Sequence, residues 1–347
     1  MAIRDFTANV ISASKVEPSG PYQNSTASGV WDLSEQFDLR KGGNWPETGV
    51  SLQRALFGPR SSSPRTAVDQ VDISTLGNGT DFGGVTTHDN ASGVGFGSDT
   101  RCIFTGGGGN SNIIQFATFA TSGDFADFGD LTVGRINPAG FANNTRGITA
   151  GGQSGAASNV IDYVTIASAG NATDFGDLTN ATENIGGGFA SSTRGIIAGG
   201  YYSASTRNTI EYVTIGSTGN ATDFGDLTLA RQYPGGLASA TRGVTLGGDT
   251  GNGAGNDTLD YVTIGSTGNA TDFGNLSAAS KTVAGASSAT RGIRAGGTNA
   301  NGSGSTNTID YITIASVGNA QDFGDLSSSS NNDGMAGAAS STPSSQP

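Results

Sequence analysis

Thr193-Arg-Gly-Ile-Ile-Ala-Gly-Gly200, a polar loop, Thr209-Ile-Glu-Tyr-Val-Thr-Ile215 and Gly219-Asn-Ala-Thr-Asp-Phe-Gly-Asp226 together make one unit of a repeat. The arginine of this unit recurs as Arg54, Arg101, Arg146, Arg194, Arg242 and Arg291, at successive spacings of 47, 45, 48, 48 and 49 residues. The Asp-Phe-Gly triplet recurs from Asp81, Asp127, Asp174, Asp223, Asp272 and Asp322, spaced by 46, 47, 49, 49 and 50 residues. Two independent markers share one period, and a period in this range predicts a propeller with one four-stranded blade per repeat.

Within a unit the arginine opens a small-residue strand that ends in Gly-Gly, as in Arg146–Gly152 and Arg242–Gly248. An almost continuously apolar strand follows, Ile161–Ile166 or Ile309–Ile314, which suits a sheet covered on both faces. The turn Gly-Asn-Ala-Thr then leads into the short Asp-Phe-Gly strand. Before the next arginine lies a fourth, small-residue strand such as Gly186–Ala190, fitted to the crowded axis of a propeller. The expected order is therefore inner strand, Gly-Gly strand, tyrosine strand and phenylalanine strand.

The first unit opens at Gln53 in the second-strand position and lacks an inner strand, while Asn332–Thr342 aligns with the inner strand of a later unit, Glu183–Thr193. The expectation is a ring closed by the C-terminal segment, which removes two exposed sheet edges. The first two units are degenerate: the tyrosine position holds Gln70 in one and Phe116 in the other.

Among 347 residues there are 57 glycines, which suit many tight turns between short strands, and a net charge of −12 that argues against binding a phosphate backbone. The lone Cys102 excludes an intrachain disulfide framework. No apolar run approaches a membrane span and no signal peptide opens the chain, so the expectation is a soluble protein made in a cytoplasm, with neither nucleic acid nor membrane as partner.

Residues 1–49 do not follow the repeat and are expected to form an arm, with the propeller over 50–342 and a tail at 343–347. Asp32 followed by Glu35 has the form of a capping box, predicting a short helix with Leu33 and Phe37 on one face, stopped by Gly42 and Gly43. Trp31 and Trp45, both tryptophans of the chain, flank it. They either clamp the helix onto the propeller or anchor the arm on another protein, where buried aromatics dominate binding.

The segment Gly29-Val-Trp-Asp-Leu-Ser-Glu-Gln-Phe37 with Gly43-Asn-Trp-Pro46 resembles a segment near the start of structural and tail proteins of tailed bacteriophages, especially those of marine bacteria and cyanobacteria. The repeats are similar to the glycine-rich, kelch-like repeats of the same proteins. Their Gly-Gly and following tyrosine match the kelch pattern, and the phenylalanine of Asp-Phe-Gly stands where that family has a tryptophan. The resemblance implies a virion protein made in the host cytoplasm, bound to other virion proteins through residues 1–49 and present in many copies in a symmetric assembly. A carbohydrate-binding adhesin of a bacterial surface is the alternative.

The chemistry-bearing residues point away from catalysis. His88, the sole histidine, sits in a loop beside Asp89 with no nucleophile elbow, and cannot supply the metal ligands of a galactose-oxidase-type propeller. The repeated arginines and aspartates read as architecture, with an anion-binding ring at a channel mouth as the alternative. The turn Gly170–Asp177 is oxygen-rich, but its acids are too sparse for a calcium loop and Asx turns explain it, so neither metal nor cofactor is expected. The variable loops after Gly-Gly, with Tyr201 and Tyr202, are the candidate recognition loops for a host glycan or protein.

Overall fold

A computed structural model describes residues 53–59, 66–86, 92–302, 304–328 and 334–340. The chain divides into two units, Met1–Ser51 and Leu52–Pro347. The first lies outside the described residues, and with it the short helix and Trp31, Leu33, Phe37 and Trp45. His88 also lies outside them. No helix occurs among the described residues, and the second unit is a six-bladed β-propeller.

Each blade has four antiparallel strands in the order expected, and in blade 5 the short strand Thr298–Asn299 pairs with the end of the outermost strand as a fifth. Blade 4 shows the pattern: Gly187–Ala190 innermost, then Arg194–Ala198, Thr209–Thr214 and Thr222–Asp226 outermost. Blades 2, 3, 5 and 6 follow suit, their second strands starting at Arg101, Arg146, Arg242 and Arg291. Blade 1 takes its innermost strand from the far end of the sequence: Ala336–Ala339 pairs antiparallel with Arg54–Gly58, Leu56 opposite Ala338. The C-terminal strand therefore closes the ring.

Burial explains the composition. The second strand is buried at four of its five positions, because blades cover both its faces. The outermost strand carries a bulge in every blade. In blade 3, Ile161 pairs with Gly176 and Asp162 with Asp174, so Phe175 is the extra residue. The bulge turns Phe175 inward, 2% exposed, and leaves Asp174 facing solvent. Phe82, Phe128, Phe224, Phe273 and Phe323 occupy the equivalent buried positions.

At the axis the innermost strands come too close for side chains. A β-carbon on Gly188 would lie 2.6 Å from the carbonyl oxygen of Gly140, and one on Gly285 2.2 Å from that of Gly236. Real Cβ contacts do not reach such distances, so glycine at the centre of each inner strand sets the bore of the ring.

Candidate functional site

The repeated polar residues divide between two roles. Each repeat arginine spans the seam to the following blade and donates Nη1–H to the carbonyl just past the third strand there. Arg101 reaches Ile166 at 2.9 Å, Arg146 Ile215 at 2.7 Å, Arg194 Ile264 at 2.8 Å and Arg242 Ile314 at 3.0 Å. Arg54 reaches Phe119, and Arg291 closes the circle on Ile73 at 2.8 Å. In blades 2 to 6 the guanidinium also lies over the aromatic ring of its own third strand, 4.3 to 4.8 Å from the centroids of Phe116, Tyr163, Tyr212, Tyr261 and Tyr311. These arginines tie each blade to the next.

The aspartates of Asp-Phe-Gly do not meet them. Asp81, Asp127, Asp174, Asp223, Asp272 and Asp322 are exposed on the outer strands, and no ion pair among the described residues joins the two sets. The oxygen-rich turn has a different task. Asn171 Oδ1 accepts from the backbone N–H of Asp130 at 3.0 Å, and Gly170 N donates to Phe128 O at 2.7 Å. Asn220, Asn269, Asn319 and Asn78 repeat the asparagine contact around the ring. The turn is a clasp between outer strands.

A third seam was not recognised in the sequence. The acid of the tyrosine strand, or Gln115 in its place, is buried at 6% exposure or less in every blade: Asp69, Gln115, Asp162, Glu211, Asp260 and Asp310. Each accepts from a Ser or Thr hydroxyl that follows the preceding blade's phenylalanine strand: Ser327, Thr86, Thr132, Thr179, Thr228 and Ser277. Three also have a buried arginine. Arg135 and Arg231 enter from the preceding blade onto Asp162 and Asp260. In blade 6 the matching position is Ser280, and Arg294 of the second strand comes to within 3.6 Å of Asp310 and donates to Ser280 Oγ at 2.8 Å. Burial lowers the affinity of all three guanidinium groups for their proton and raises the carboxyl of Asp162, while the ion pairs oppose both shifts. Both Asp and Arg looked like ordinary strand and loop residues; the signal was their return at one register position.

The polar residues that vary gather on one face, around the mouth of the axis. Just before each inner strand one residue takes a left-handed conformation: Ser92, Asn137, Asn184, Tyr233, Thr282 and Gly334, with φ between 51° and 66°. Backbone hydrogen bonds link them into a circle. Asn137 N donates to Ser92 O at 2.7 Å, Ile185 N to Asn137 O at 3.1 Å, and Tyr233 N to Asn184 O at 2.7 Å. Thr282 N donates to Tyr233 O at 3.0 Å, Gly334 N to Thr282 O at 3.3 Å and Ser92 N to Gly334 O at 2.7 Å. A bulky tyrosine and a β-branched threonine are outliers in this conformation, held there by the circle itself. The cavity inside it is ≈ 60 Å³, room for water rather than a substrate.

The loops after Gly-Gly are pinned to this rim. Glu183 and Tyr201 exchange backbone hydrogen bonds of 3.0 and 2.7 Å, and Gln232 and Asp249 do so at 2.9 and 2.7 Å. Tyr201-Tyr202 and Ser205-Thr206 form a small hairpin whose two turn residues, Ser203 and Ala204, both have positive φ. Tyr202 is 39% exposed, with the Arg207 guanidinium 5.3 Å from its ring centroid. Asp249, buried, accepts from Lys281 Nζ at 3.3 Å and from the backbone N–H of Gly251 at 2.8 Å. Burial and the carboxylates of Glu183 and Asp249 raise the Tyr233 phenol above its ordinary value. The face thus offers phenols, amides, carboxylates and two cations on anchored loops.

Among the described residues no three His, Cys, Asp or Glu side chains stand close enough to hold a metal ion, and no helix is long and apolar enough to cross a membrane. Compared with known proteins, the sequence matches no family model and no curated protein. Fold and site define the class of protein: a six-bladed β-propeller with its variable polar loops on one face.

Proposed function

We infer that the chain is a non-enzymatic structural protein of a bacteriophage particle, tail-associated, built of kelch-like repeats. Residues 1–49 dock on another virion protein, and the propeller stands exposed with its loop face free for recognition or decoration. The observation that carries the reading is the likeness of Gly29–Phe37 and Gly43–Pro46 to the leading segment of phage tail proteins. The use of the repeat arginines and clasp asparagines in seams supports it, because the polar groups common to all blades are engaged in holding the ring.

The test uses the full chain and a chain beginning at residue 50 as baits on dissociated phage particles, read by mass spectrometry. Capture of a tail or capsid protein by the full chain alone is expected. Equal capture by both baits, or none by either, overturns the reading.

A second reading, a carbohydrate-binding adhesin of a bacterial surface, is favoured by one observation: the half-exposed Tyr202 and its neighbour Arg207 on a hairpin among polar loops. Aromatic faces and adaptable polar groups suit polyhydroxylated ligands. Saturable binding on a glycan array, lost in Tyr202→Ala, is the outcome that would move the assignment there.

A further inference from the structure

Blade 1 departs from the other five at one place. Its third strand carries Gln70 where they carry Phe116, Tyr163, Tyr212, Tyr261 and Tyr311. In those blades the repeat arginine lies 4.3 to 4.8 Å from the centroid of that ring, and the ring meets the blade's buried phenylalanine edge to face at 5.8 to 6.2 Å. In blade 1, among the described residues, the aromatic ring near the Arg54 guanidinium is that of Phe82, its centroid 5.9 Å away. Beside Arg54 and Gln70 lies a cavity of ≈ 370 Å³, bounded also by Asp72, Leu76, Asn78 and Thr80. Two of its walls, Arg54 and residue 70, are the two positions that make the stack elsewhere.

The walls lack the ring contacts made in the sister blades. Gln70 Nε2 donates to Asp81 O at 3.1 Å, but Gln70 Oε1 is shielded from water and has no hydrogen-bond partner. Leu76, an apolar side chain, is 58% exposed at the rim. Arg54 is partly desolvated, which lowers its affinity for its proton despite Asp72. Desolvation strengthens the attraction of a guanidinium for an aromatic face. The volume lies in the range of small-molecule pockets and holds a phenol ring together with the chain that bears it.

The geometry points to a binding site for a phenol-type aromatic ring in blade 1, supplied from outside the blade and stacked beneath Arg54 beside Gln70. The ligand chemistry is that of a tyrosyl side chain, read from what four of the five sister blades place in the same slot, the fifth carrying Phe116. A free small phenol and a tyrosine presented by a polypeptide share it, and the experiment separates them.

The full-length protein, labelled with ¹⁵N, is titrated with p-cresol, with N-acetyl-tyrosinamide and with the non-aromatic 4-methylcyclohexanol. The expected result is a saturable shift of the Gln70 side-chain amide and of Arg54 Nε–H. Affinity for p-cresol should fall in the ~1–10 mM range usual for a ligand of this size, and the cyclohexanol should bind several-fold more weakly. Shifts with both aromatic probes mean that a tyrosine on a polypeptide can enter; shifts with p-cresol alone mean a free phenol. Gln70→Tyr fills the slot and should abolish the shift at Arg54. Absence of saturable shifts with either aromatic probe, equal binding of the cyclohexanol, or undiminished binding in a folded Gln70→Tyr protein overturns the assignment. If that variant does not fold, the wild-type shifts and the cyclohexanol comparison decide alone.

Discussion

Gly195 of blade 4 lies directly beneath the ring of Phe141 on the inner strand of blade 3: a β-carbon on Gly195 would stand 1.9 Å from Phe141 Cε2. The same fit joins Gly147 to Phe96, Gly243 to Phe189 and Gly292 to Leu237. Where the inner strand carries alanine instead, Ala286 or Ala338, the facing position is no longer glycine but Ala55 or Cys102, within the same core clusters. Bulk on one blade is matched by its absence on the next, as close packing requires.

This fit predicts a coupling. Gly195→Ala alone should destabilise the protein by ~1–3 kcal/mol through overpacking. In a Phe141→Ala background the same change should cost nothing or recover part of the cavity loss. A urea-denaturation double-mutant cycle measures the coupling, and simple additivity would show that the two residues do not share one space.

The buried pair Arg231–Asp260, 2.9 Å apart with both side chains fully buried, makes a second prediction. Arg231→Met leaves a buried carboxylate with Thr228 as its hydrogen-bond donor and should cost ~3–5 kcal/mol. Replacing both, as Arg231→Met with Asp260→Leu, should recover much of that loss. Thermal unfolding of the three proteins against wild type checks it; a harmless Arg231→Met would mean the charge is paired elsewhere.

Ring closure is tested at the C-terminus. Removing residues 332–347 deletes Ala336–Ala339, exposes the edge of Arg54–Gly58 and uncovers Gly95 and Gly285, which pack against Gly337. The melting temperature should fall in a single cooperative step, with greater aggregation from the bared edge. An unchanged calorimetric trace would show that the ring holds without its last strand.

Tyr233 sets an alkaline limit. Its phenol ionises above its ordinary value of 10.0 because of burial and the nearby Glu183 and Asp249. The folded state then keeps the proton longer than the unfolded chain does. Stability contributed by the neutral phenol is fully present below pH 10 and is lost as pH rises from there through the folded value. Tyr233→Phe should flatten the fall in stability across that window and remove a component of the phenolate absorbance that ionises above pH 10.0. An unaltered alkaline titration in the variant would place that component on another tyrosine.

The turn of the tyrosine hairpin offers a local test. Ala204 holds φ 62° without a side-chain hydrogen bond, so Ala204→Gly should relieve ~1 kcal/mol of backbone strain and raise the melting point slightly. A loss of stability would show that the methyl group packs rather than strains.

Much of this propeller was legible before any coordinates. The period of Arg54 to Arg291 and of the Asp-Phe-Gly triplets gave blade number and strand order, because every blade must present the same groups to the same neighbours. The match of 332–342 to an inner strand exposed the closure, since a unit short of a strand must borrow one. The substitution of Gln70 for tyrosine was visible too, but only the blade around it revealed a cavity, because an empty volume depends on whether neighbours move in to fill it. The left-handed circle at Asn137, Asn184, Tyr233 and Thr282 escaped reading, for tyrosine and threonine carry no signal of positive φ. The buried Asp162, Asp260 and Asp310 escaped because a strand acid looks solvent-facing until another blade brings a hydroxyl or guanidinium against it. What the amino-acid sequence determined by itself was the local unit and its count, through short-range strand and turn chemistry. What only the tertiary structure decided was every contact across a seam, where Phe141 meets Gly195 and Arg231 meets Asp260, because those partners are set by the closing of the ring.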